Sequence, residues 1–109
     1  MFTINGEHWN ILMVPEYNKM LYRSDGTLSV ATCDDISKTI YINESLQGAF
    51  LRKVLCHEIT HAAMFSYNVL LGYEQEEIIA DLIATYGTEI IEITNSVFER
   101  IKDKREKLK

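Results

Sequence analysis

Two hydrophobic periods divide this chain. Up to about residue 43 the apolar residues fall in short runs, and beyond it they recur every three or four positions. In the first half, Asn5-Gly6 is a turn signal, and the apolar run Trp9 to Val14 behind it is stopped by Pro15. Residues 16–26, polar with scattered aromatics, predict a loop. Leu28 to Thr32 and Thr39 to Asn43 are rich in β-branched residues. The six residues between them predict a hairpin with a longer connection.

The helical period sets in after Asn43 or Ser45, both good N-caps. Leu46, Phe50, Val54, His57, His61 and Phe65 then share one face, and this first helix is expected to end before Gly72. The second helix opens on Glu74-Gln75-Glu76-Glu77, acidic as a helix start prefers. Ile79, Leu82, Ile83, Tyr86, Ile90, Ile93, Val97 and Ile101 form its stripe, and Gly87 within it marks a kink or a break. The expectation is an α+β fold: a small N-terminal β-sheet packed on two main helices, with all 109 residues in a single domain.

Charge adds an asymmetry. The net charge is −5, yet residues 99–109 hold six basic and three acidic residues, a basic helical tail, so the remainder carries −8. An acidic body argues against nucleic acid as a partner. No run is apolar and long enough to span a membrane, and the N-terminus lacks the pattern of a signal peptide. Those readings predict a cytoplasmic protein with Cys33 and Cys56 reduced.

The chemistry concentrates in His57-Glu58-Ile59-Thr60-His61. Histidines at i and i+4 of a helix project from one face and bring both rings to a single metal ion. Zinc suits imidazole, and a catalytic zinc takes three protein ligands and keeps one position for water. Glu58 is rotated off the ligand line and is placed as a general base. For the third ligand, Glu77 and Asp81 stand at i and i+4 on the second helix. Glu74 and Glu76 are acidic too, but four residues beyond them lie Ile78 and Ala80. Glu77 as ligand leaves Asp81 to orient a ligand histidine; the alternative makes Asp81 itself the ligand. Thr60 and Ala80 are read as packing positions between the helices.

On these residues, roughly 39 to 87, the chain resembles the gluzincin zinc metallopeptidases, which pair HExxH on one helix with Glu-x-x-x-Asp on the next. Leu55 to Ala62 looks like the very small, phage-type members. Glu77-x-x-Ala80-x-x-Ile83-Ala84 is similar to the third-ligand helix of the ImmA/IrrE family, whose members cut transcriptional repressors. The resemblance implies one zinc per chain on His57, His61 and Glu77, with Asp81 behind a histidine. It also implies a Tyr or His that stabilises the oxyanion, for which Tyr86, Tyr67, Tyr73 and His8 are the candidates and Tyr86 the first of them.

The function expected is therefore a zinc metalloendopeptidase acting on a peptide or protein substrate, with Glu58 as general base to a zinc-activated water. An extended substrate is expected to pair with a sheet edge formed by Thr39 to Asn43 or by Leu28 to Thr32. The rival readings are a regulatory or binding protein stabilised by the same zinc, and a latent peptidase blocked by its own tail or by the 16–26 loop.

Overall fold

The computed structural model describes residues 1–107; the last two residues of the basic tail, Leu108 and Lys109, lie outside it. Four strands, β1 (Phe2–Ile4), β2 (Glu7–Val14), β3 (Ala31–Asp34) and β4 (Thr39–Asn43), precede two helices, α1 (Gly48–Ser66) and α2 (Tyr73–Lys107). The strand order is β1-β2-β4-β3, with β2 parallel to β4 and the other pairs antiparallel. The fold is α+β, as the switch of period requires.

Local chemistry explains most of the element boundaries. Asn5 and Gly6 both take positive φ, 48° and 77°, as a two-residue turn between twisted strands demands, and so β1 folds back on β2. The second hairpin pairs Ala31 with Ile42 and Asp34 with Thr39. The strand expected over 28–32 thus begins at Ala31. Before it, the chain is held back toward the loop: Ser29 N–H donates to Leu21 C=O, and the Thr32 hydroxyl to Met20 C=O at 2.6 Å. β4 lies between β2 and β3, so Thr39 to Asn43 is no edge, and the exposed edge on that side of the sheet is β3.

The start of α1 differs from expectation, while its end falls after Phe65 and before Gly72 as the sequence predicts. The Asn43 side chain accepts from Ser45 N–H at 2.9 Å and from its hydroxyl at 2.7 Å, which turns the chain at the end of β4. Spent on that turn, Asn43 does not cap the helix, which starts at Gly48. At the other end Asn68 takes φ 55°. The Val69 and Asn68 N–H groups then close on the Met64 and Phe65 carbonyls. This termination with Asn in the left-handed position stops α1 well before Gly72. Gly72 instead precedes α2, where the Gln75 side chain accepts from its N–H at 3.2 Å. Gly87 does not break α2, which runs continuously for 35 residues.

The layers are sheet, α1, α2. Trp9, Ala31, Ile40, Ile42 and Ala62 form the buried centre, with Leu51, Val54, Leu55, Ile59 and Phe65 of α1 packed against it. The Trp9 indole N–H donates to the Ser66 hydroxyl at 2.8 Å, and Asn5 donates to the Ser66 carbonyl at 3.0 Å. The first hairpin is thereby fixed to the end of α1, and the α1 face that bears the histidines is fixed over β3. α2 lies on α1, close-packed at Ala80, which is fully buried. Among the described residues no helix is long and apolar enough to cross a membrane. Cys33 and Cys56 are both half-buried free thiols.

Candidate metal centre

α1 delivers His57 and His61 one turn apart on the side facing α2, with Nε2 atoms 3.1 Å apart. α2 delivers Glu77 between them, Oε1 at 2.8 Å from His61 Nε2 and Oε2 at 3.3 Å from His57 Nε2. The candidate ligand atoms of the three residues all lie within 4.8 Å of one another. A tetrahedral zinc with bonds of 2.0–2.1 Å separates its ligand atoms by about 3.3 Å. The three side chains match that spacing.

What holds the two rings decides which nitrogens converge. Asp81 Oδ1 sits 2.9 Å from His57 Nδ1, and Glu76 Oε1 sits 2.5 Å from His61 Nδ1. A carboxylate only accepts, so each Nδ1 donates to it. Each ring then turns its Nε2 toward the same point, where the Glu77 carboxylate adds an oxygen. Three acceptor groups facing one point, with no donor among them, repel one another until a cation or protons stand between them. The donor set therefore fits zinc, by its chemistry as well as by its spacing.

Glu76 is the residue that sequence reasoning missed. It was set aside as a first-turn acid because Ala80, not another acid, lies four residues on. The signal was available in the logic of the site: two ligand histidines each need an Nδ1 partner, and Asp81 can serve only one. Glu76 is also the better shielded of the pair, its side chain 18 % exposed against 68 % for Asp81. Asp81 is on the ring nitrogen of His57 that faces away from Glu77, outside the group formed by His57, His61 and Glu77.

Glu58 is buried, 7 % exposed, on the wall of the cleft that also holds His57, His61, Glu76 and Glu77. Burial pushes its carboxyl above the usual carboxylate range; His61 and His57 pull it back, and Glu77 adds to the rise. Cys33 of β3 faces the same cleft, and burial, reinforced by Glu58, pushes its thiol far above the ordinary range. Thr60 and Ala80 are both buried, in keeping with packing positions.

The expectation for Tyr86 fails on helix geometry. Nine residues beyond Glu77, at 100° per residue, Tyr86 points to the opposite side of α2. It is 54 % exposed and lines neither cavity at the site. His8 is exposed and bonded to Thr3, and Tyr67 projects from the end of α1 into solvent. Of the tyrosines weighed, Tyr73 reaches the cleft, a space of about 870 Å³, and Tyr22 of the 16–26 loop, which was not weighed, lines it as well. That loop also contributes Met20, Arg23 and Asp25 to the wall. Among the described residues, none beyond Asp81 lines a cavity at the site, so the tail does not fill the cleft.

No family model matches the chain, and no curated protein or solved structure matches it either.

Proposed function

We propose that the chain is a small zinc metallopeptidase of gluzincin type, with His57, His61 and Glu77 as zinc ligands and Glu58 as general base. One observation carries the reading. Two imidazoles, each oriented by its own carboxylate, converge with Glu77 beside a fourth, non-ligating carboxylate in an open cleft. Zinc held there supplies Lewis acidity, acidifying a water and polarising a carbonyl. Glu76 and Asp81 fix the histidines in the tautomer that presents Nε2. Glu58, buried on the wall of the cleft beside both histidines, takes a proton from the attacking water and returns it to the leaving amine. A site that only stabilised a fold would close with four protein ligands and would have no use for Glu58.

The free edge of β3 is the place for an extended peptide. Val30 C=O accepts from Asn43 N–H, so by antiparallel alternation Thr32 and Asp34 bond to β4 while the backbone of Ala31 and Cys33 faces outward. Ser29 occupies Ala31, which leaves Cys33 N–H and C=O for a substrate strand. A cytoplasmic setting suits the two free thiols. The test compares zinc-loaded wild type with Glu58→Gln on a mixed peptide library. Wild type is expected to cleave, and the variant to keep its zinc and lose about 10²–10⁴-fold in turnover. No cleavage by loaded wild type, or equal cleavage by both, rejects the reading.

A further inference from the structure

Beyond Thr88, whose hydroxyl accepts from Arg52 of α1 at 3.1 Å, α2 continues as a helix in which every residue to Lys107 is exposed. Its composition is wrong for a solitary helix. Ile90, Ile91, Val97, Phe98 and Ile101 fall within a sector of about 120° at 100° per residue. They are 49, 59, 38, 58 and 45 % exposed. Glu92, Glu99 and Asp103 lie on the opposite side. Single exposed apolar residues are ordinary, but a continuous apolar face about 17 Å long is not. Half of the positions from Ile90 to Ile101 are β-branched, which weakens helix propensity in an exposed stretch.

Charge identifies what covers this face. From Tyr73 to Phe98, α2 carries six acidic residues and no basic one; from Glu99 to Lys107 it carries five basic and three acidic. A parallel pair of such helices sets acid against acid and brings two acidic bodies side by side. An antiparallel pair lays the basic end of each along residues 81–89 of the other, where Asp81 and Glu89 are the charged residues, and holds the two acidic bodies apart. We propose that residues 90–101 form a self-association surface, on which a second copy of this chain pairs antiparallel through α2, crossing near Thr94. The apolar face of residues 90–101 contains no residue of the metal centre, and the pairing stands whether or not that centre binds zinc.

Sedimentation equilibrium of the whole chain over about a hundredfold range of concentration tests it. The expected result is a mass of twice 12.6 kDa that falls toward one chain on dilution. Val97→Asp should be monomeric at every concentration and should lose helical ellipticity. Its body should stay folded, as reported by fluorescence of Trp9, the only tryptophan and fully buried. Glu92→Gln, on the opposite side, should dimerise as wild type does. A spin label on Lys104→Cys reads the orientation. Two labels separate by about 30 Å in the antiparallel pair, from ten residues on each side of the crossing, and by about 10 Å in a parallel one. A wild-type monomer throughout, a Val97→Asp dimer of unchanged strength, or the short label distance overturns the proposal.

Discussion

The two halves of α2 have the same backbone and opposite fates. Up to Gly87 the helix lies on α1, buries Ala80 completely, and spends Glu76, Glu77 and Asp81 on two histidines of its neighbour. Beyond it the helix is more apolar on one face and yet wholly exposed. Hydrophobicity alone therefore does not decide what is buried. The proximal half is held by a small residue that allows close approach and by charged groups with partners across the interface. The distal half has the apolar face, yet past the Arg52–Thr88 hydrogen bond at its start its described residues are all exposed.

The comparison predicts that changes in the proximal half act on metal and those in the distal half do not. The largest effect is on zinc-dependent stability. At 100 times its dissociation constant, zinc should stabilise wild type by about 2.7 kcal/mol, raising Tm by roughly 10–20 °C. His61→Ala should abolish the shift in a thermal melt, and Phe98→Ala should retain it. A shift in His61→Ala equal to that of wild type would place the metal elsewhere.

Next come the two carboxylates behind the rings. Glu76→Gln and Asp81→Asn should each weaken zinc binding by about 10–100-fold in a chelator competition. Glu76 belongs at the upper end, because its side chain is 18 % exposed and that of Asp81 68 %. The reverse order would mean that water competes less at Asp81 than its exposure implies. In packing, Ala80→Leu should cost about 1–3 kcal/mol in denaturant unfolding by forcing α2 off α1. Ser96→Leu, exposed on the distal half, should change stability by about 0.5 kcal/mol or less. The smallest effect is at the junction. Gly87→Ala gains up to about 1 kcal/mol of helix propensity. The new methyl meets Ile83 Cγ2 at 3.2 Å, and Ile83, 40 % exposed, has room to give. A loss of stability there would show that the two halves meet at a site with no spare volume.

How far the site was legible follows from how local each signal is. His57, Glu58 and His61 were readable because a five-residue spacing on one helix fixes their relative directions. Glu77 and Asp81 were readable by the same i, i+4 argument on the next helix. Glu76 was not, because its role depends on which ring of α1 it meets, a relation between helices that no spacing within α2 encodes. Tyr86 was chosen for its chemistry and fails on its angle, which was available from the helix period. In the sheet, the turn at Asn5-Gly6 and the strand Thr39 to Asn43 were legible from turn chemistry and β-branching. The parallel pairing of β2 with β4, which removes β4 from the edge, is a long-range fact without a local signal.

The most direct test of the central claim is the zinc-to-protein ratio by elemental analysis, on folded wild type and Glu77→Ala side by side. The account predicts one zinc per wild-type chain and its loss in the variant, since two histidines without Glu77 leave the donor set incomplete. No zinc in folded wild type supplied with the metal, or one zinc per chain in both proteins, would contradict it.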